Sequence, residues 1–155
     1  MSDPTAFLGT LSQIGRLLRT YCDQRFRALD LTLARGRVML HLGRAGSPLS
    51  QSALTALLDV EHPTTVRLLD GLEQSGLVER RSVPGDRRSK DIALTEAGVP
   101  VAARVTTAID GIALAVIDGI DPAELAVADR VLTEILANLA RLSREAGARP
   151  GEAAE

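Results

Sequence analysis

The stretch LVERRSVPGDRRSKDIALT, residues 77–95, carries five of the chain's eighteen basic residues: Arg80, Arg81, Arg87, Arg88 and Lys90. Its two ends, LVERRSV and SKDIALT, are short, alternating and rich in β-branched residues, and PGDR between them is a turn signal. The spacing therefore predicts a two-stranded hairpin that holds the basic residues. The chain as a whole has a net charge of −2, so this hairpin runs against the average. Residues 1–95 hold thirteen Lys/Arg against ten Asp/Glu, whereas residues 96–155 hold five against ten. That division points to a polyanion as the partner of the first part.

Upstream of the hairpin the punctuation is helical. Phe7, Leu11, Ile14, Leu18 and Tyr21 recur at steps of three and four, an amphipathic helix opening behind Ser2/Asp3 with Pro4 in its first turn and running to about Leu29. Thr32 caps a second helix, LARGRVMLHLGRA, which Gly46 ends; Ser50 caps a third, QSALTALLD. Pro63, in the favoured first helical position, opens a fourth, PTTVRLLDGLEQS, stopped by Gly76. Short helices with short links, followed at once by a basic hairpin, predict a winged helix-turn-helix, mainly α with a small β-hairpin. In that fold the fourth helix enters the DNA major groove and the hairpin reaches a flanking minor groove.

Downstream, Val101, Val105, Ile109, Ile112, Val116 and Ile120 lie along one long helix. GIDPAEL then combines a stop with a start, Asp121 as cap, Pro122 next and Glu124 three residues past the cap. Leu125, Ala128, Leu132, Ile135, Leu139 and Leu142 form a heptad seam. These stripes and that of the first helix exceed what a lone helical pair can cover, so residues 1–31 and 96–147 are expected to form a helical dimerisation region around a DNA-binding domain at 32–95. ARPGEAAE, residues 148–155, reads as a disordered tail.

Composition narrows the function. The apolar stretches are interrupted by charges and the N-terminus is not a signal sequence, so no membrane span is expected and the location expected is cytoplasmic. A single cysteine excludes an internal disulfide and multi-cysteine metal sites. With Phe7, Phe26 and Tyr21 as the only aromatics, base-stacking platforms for single strands are not expected. The two histidines, His41 and His62, fall on different helices, and no phosphate-binding loop, HExxH or nucleophile elbow occurs. Neither enzyme activity nor a cofactor or metal is expected.

Turning the fourth helix at 3.6 residues per turn puts Val66, Leu68, Leu69 and Leu72 on one side with Thr65, and Pro63, Thr64, Arg67, Gly71 and Gln74 on the other. Arg67 is the outward cation, suited to guanine or phosphate; Thr64 offers a hydroxyl and a methyl to a base edge, and Gly71 admits close approach. His62 lies by the helix N-terminus, where phosphates are favoured. Thr65 is expected to bond back to the preceding turn. Ser50, Gln51 and Ser52 open the third helix and can anchor a phosphate, although capping alone accounts for Ser50.

LDVEHPTTVRLLDGLEQSGLVERRSVPGDRRSKDIALTEAG resembles the signature region of MarR-type transcriptional regulators, and EHPTTVRLLD with DRRSK and RFRALDLT resembles the SlyA branch. The resemblance spans roughly residues 10–142. It implies a homodimeric winged helix on palindromic double-stranded DNA, a repressor or activator often released by a small phenolic or aromatic carboxylate ligand. It also implies that Arg88 inserts into the minor groove while Asp86 orients the wing tip. Arg87 and Lys90 read as phosphate contacts. Aromatic residues that often line the family's pocket are mostly missing here. Arg16 and Arg19, three apart on the first helix, and His41 are the candidate ligand residues, with a solvated or intersubunit ion pair the alternative for the arginines. Cys22 is a candidate redox sensor, with Arg19 and Arg25 placed to lower its pKa; a buried structural thiol is the other reading. A winged helix that binds an acidic protein partner is the alternative to DNA.

Overall fold

A computed structural model describes residues 3–83 and 86–147; of residues 83–89 and 146–147 it describes the backbone only, where at all. The expected tail at 148–155 and the Pro84–Gly85 turn thus lie outside the described residues. In order, the elements are α1 (Pro4–Arg27), α2 (Leu33–Ala45), β1 (Leu49–Ser50), α3 (Gln51–Leu58), α4 (His62–Gln74), β2 (Val78–Val83), β3 (Asp86–Leu94), α5 (Gly98–Ile117) and α6 (Pro122–Gly147). The chain divides into two compact units, Met1–Leu114 and Ala115–Glu155.

The expected caps are in place. Asp3 carboxylate oxygens accept from Thr5 and Ala6 N–H at 3.1 and 3.3 Å, Thr32 Oγ1 accepts from Arg35 N–H at 3.3 Å, and Ser50 Oγ accepts from Ala53 N–H at 3.1 Å. Each satisfies a donor that the first helical turn leaves without a backbone partner. α1 ends at Arg27, short of the expected Leu29, because the chain folds back and Leu31 N–H donates to Phe26 O at 3.0 Å. α4 begins at His62, with Glu61 as an N-cap that makes no side-chain bond and Pro63 one residue inside the start.

In the first unit, Phe26, Val38, Met39, Leu54, Leu58, Leu69, Leu72, Ile92 and Val105 are almost wholly buried in one core. α1 reaches it through Phe26, whose ring lies against Gly36: a Cβ there would come within 2.3 Å of the ring. Truncating a central residue such as Leu69 to alanine should cost about 2–5 kcal/mol.

The hairpin is one strand larger than the sequence suggested. β1 joins β3 antiparallel, Leu49 opposite Ile92 and Ser50 opposite Asp91, which makes a three-stranded sheet in the order β1-β3-β2. Two residues are too few to show a period, so alternation could not reveal β1. β2 and β3 pair with Arg80 opposite Ile92, Arg81 opposite Asp91 and Ser82 opposite Lys90, and the register shifts after Ser82.

The sequence led to the expectation of no membrane span, and one helix bears on it. α5 is long and apolar enough, by length and composition alone, to cross a bilayer. A core helix passes the same test, and Ala102 and Val105 of α5 belong to the core of the first unit. In the second unit none of the α6 side chains among the described residues is buried; Leu132, Leu136, Leu139 and Leu142 of its apolar face are all exposed. Asp121 Oδ1 caps it, accepting from Ala123 N–H at 2.7 Å.

Candidate nucleic-acid interface

α3 and α4 form the helix-turn-helix. Leu54, Leu58 and Leu69 bury the contact between them, and a part-buried polar link crosses it: the hydroxyls of Thr55 and Thr65 lie 3.1 Å apart, with Thr55 donating to Gln51 O at 2.9 Å. Thr65, at 0% exposure, therefore bonds across to α3 and not back along its own helix as the sequence suggested. Its burial opposite Thr55 offers a side-chain partner at the place where solvent is absent.

The outward face of α4 is as expected from its periodicity: His62, Pro63, Thr64, Arg67 and Gln74 are exposed. The first turns of α3 and α4 meet, with Gln51 Nε2 3.3 Å from His62 Nε2. Ser52 Oγ lies 3.0 Å from the capping Ser50 Oγ. Ser50, Gln51, Ser52 and His62 thus gather at neighbouring helix starts, where peptide N–H groups and the positive end of the helix dipole favour phosphate. Pro63, Thr64 and Arg67 continue along α4 from that corner.

The five basic residues of the opening stretch do not act as one cluster. Arg80, on β2, turns to α4: Nη2 lies 2.6 Å from Asp70 Oδ1 and Nη1 bonds to Glu73, with 23% of the side chain exposed. Burial alone would lower its pKa, but the hydrogen bond to Asp70 and the charge of Glu73 raise it. Arg81 pairs with Glu79 of its own strand at 2.6 Å. Asp70 and Glu73 belong to α4, just upstream of the hairpin, so a count of charge confined to the hairpin did not register them. Lys90 is exposed and donates to Ser82 Oγ at 2.8 Å. The backbone of β3 carries Asp86, Arg87 and Arg88 at its start, and their side chains lie outside the described residues.

Gly71, read from the sequence as leaving room for a ligand, has its space taken within the protein. The guanidinium of Arg35, from the first turn of α2, lies over it, and a Cβ on Gly71 would stand 2.2 Å from Arg35 Nη2. Sequence reasoning passed over Arg35 because nothing local ties it to α4.

The other candidates sit apart from this surface. Arg16 and Arg19 are exposed on α1. His41 is half-buried on α2, its pKa lowered by burial and then by the charges of Arg37 and Arg44. A cleft of about 660 Å³ in the first unit is lined by Leu42, Pro48, Arg81, Leu94, Val99 and Thr106 among others, and by none of Arg16, Arg19 and His41. Cys22 is buried, and burial raises its thiol pKa. This corrects the expectation that Arg19 and Arg25 lower it: Arg25 donates to Tyr21 Oη at 3.0 Å and lies over that ring. Among the described residues no group of three His, Cys, Asp or Glu is arranged to hold a metal.

A helix-turn-helix whose second helix keeps a polar face outward, flanked by a three-stranded antiparallel sheet, defines a winged-helix DNA-binding protein. The MarR-family sequence model matches residues 29–89. The solved structure of transcriptional regulator PA3341 is 41% identical, covering 87% of this chain and 98% of that one with a TM-score of 0.79. The protein belongs to the MarR family and is a DNA-binding transcriptional regulator. The fold is shared with the S. aureus MepR–DNA complex (24% identity, 89% and 99% of the two chains, TM-score 0.77). It is shared too with CouR from Rhodococcus jostii RHA1 bound to p-coumaroyl-CoA (23% identity, 86% and 91%, TM-score 0.71).

Proposed function

We propose that the protein works as a homodimer on an inverted-repeat operator in the cytoplasm, as a SlyA-like repressor whose hold on DNA a small molecule relaxes. The observation that carries the dimer is the pair of apolar faces that the chain leaves open. On α1, Phe7, Ile14, Leu17 and Leu18 are exposed; on α6, considered by itself, so are Val131, Leu136, Leu139 and Leu142. Stripes of that length on water-facing helices call for a partner, and a second copy supplies matching ones. The dimerisation region is then 1–31 with 96–147, around the DNA-binding domain at 32–95.

In this reading Thr64 and Arg67 meet base edges in the major groove, while Ser50, Gln51, Ser52, His62 and Pro63 hold the adjacent backbone. Arg87 and Lys90 touch phosphates, and Arg88, oriented by Asp86, enters the minor groove. EHPTTVRLLD and DRRSK support the SlyA placement. For the ligand we propose a phenolic or aromatic carboxylate met by Arg16, Arg19 and His41, a class to which the ligand in the CouR structure lends support.

Selection from a random duplex library tests the proposal. A palindrome with half-site centres about 10 bp apart is expected, bound by a species that sediments as a dimer at micromolar concentration. A single unpaired half-site, or a monomer, overturns it.

A further inference from the structure

We propose that Arg35 of α2, which belongs to neither the helix-turn-helix nor the wing, contacts the DNA backbone, and that residue 71 is glycine so that the Arg35 guanidinium can lie on the DNA-facing side of α4. This rests on the DNA-binding reading above. A Cβ on Gly71 would stand 2.2 Å from Arg35 Nη2 and 2.9 Å from its Cζ, so the guanidinium fills the space directly over the glycine. At 3.6 residues per turn Gly71 stands about 40° around α4 from Arg67 and about 20° from Thr64, but about 160° from Leu69. Arg67 and Thr64 are exposed and Leu69 is wholly buried. The guanidinium has been carried round from α2 to the face that Arg67 and Thr64 share.

Its charge is available there. Among the described residues no carboxylate lies within ion-pair distance of Arg35, whereas Arg27, Arg44, Arg80, Arg81 and Arg141 each have one. Its main chain is fixed in the first turn of α2, where Arg35 backbone N–H donates to the capping Thr32 Oγ1. A planar fork of N–H donors suits the two oxygens of a phosphodiester. The site would read no base. It would add one sequence-independent cation per subunit.

Salt titrations of the full chain on its selected operator test this, followed by fluorescence anisotropy. Arg35→Gln should lower the slope of log affinity against log salt by about 1 per subunit, about 2 per dimer. Its deficit should then narrow by roughly tenfold between about 50 and 200 mM salt, and be equal on operators with altered cores. Arg35→Lys should keep most of the slope. Gly71→Ala should displace the guanidinium and reproduce the Arg35→Gln slope, while thermal stability does not fall, since alanine is the better helix former. The double variant should bind no worse than Arg35→Gln alone. A wild-type slope in Arg35→Gln, or a Gly71→Ala loss that adds to it, overturns the proposal while leaving the DNA-binding reading intact. Failure of the wild-type chain to bind any selected duplex overturns both.

Discussion

Arg80 on β2 and Asp70 on α4 are joined by a 2.6 Å ion pair that ties the wing to the recognition helix, with Glu73 one turn further along bound to the same guanidinium. Arg80→Met should lower stability by about 1–2 kcal/mol, because Asp70 and Glu73 both lose their cation at once. Asp70→Asn should cost less, since Glu73 still holds Arg80. Urea denaturation of the three proteins checks the order. Because Arg80 spends its donors within the protein, Arg80→Met should leave the salt slope of DNA binding near the wild-type value; a drop as large as that of a phosphate contact would show that Arg80 meets DNA.

Arg67 stands outward on α4 in the middle of the exposed face. Arg67→Ala should weaken binding to the preferred operator by about 1–3 kcal/mol and flatten the preference at one base pair of each half-site. Competition among operators mutated one position at a time measures both. Uniform weakening across all positions would make Arg67 a backbone contact.

The wing should give two different signatures. Lys90→Ala should lower affinity evenly across sequences and reduce the salt slope by about 1 per subunit. Arg88→Ala should instead lose most on A·T-rich flanks, whose narrow minor groove concentrates negative potential. If Arg88→Ala binds like wild type on every flank, the hairpin is not a DNA wing and the acidic-protein reading of its charge gains.

Dimerisation should fail when the open face of α6 is made acidic. Leu132 and Leu139 lie seven apart on its seam and are exposed; replacing both with Glu should give a monomer by ultracentrifugation. Operator affinity should fall by roughly 100-fold or more, the advantage lost when two linked half-site contacts become one.

His41 should make stability depend on pH. Its folded pKa is lowered by burial and by Arg37 and Arg44, so the unfolded chain takes the proton first, near its ordinary value of about 6.5. Stability should therefore fall as pH drops through that region and level off once the folded imidazole is protonated. Thermal midpoints between about pH 7 and 5 should fall more steeply in wild type than in His41→Gln. Equal slopes would remove His41 as a cause.

Much of this molecule could be read before it was seen, and what could not has a common reason. Helix starts were legible because caps act within three residues: Asp3, Thr32, Ser50 and Asp121 each bond to the first turn that follows. The exposed face of α4 followed from its period. What escaped was whatever depends on approach between distant segments. Asp70 and Glu73 neutralise Arg80, Thr55 meets Thr65 across a helix pair, Arg35 lies over Gly71, and β1 is a strand only because β3 is beside it. Charge was the least legible quantity. Five cations on one hairpin suggested one surface, although two of them face carboxylates of the protein itself.

Ser50 serves two masters, the last residue of β1 opposite Asp91 and the cap of α3 bonded to Ala53. The chain therefore has no slack where it passes from sheet to helix. Inserting one residue between Leu49 and Gln51 would turn a side chain to the wrong side of the sheet or pull the serine off its helix. Deleting one would do the same. Length can vary only earlier, in the turn through Gly46, Ser47 and Pro48, where neither duty applies. Related chains aligned on this one should place their gaps there and never in the two residues that follow.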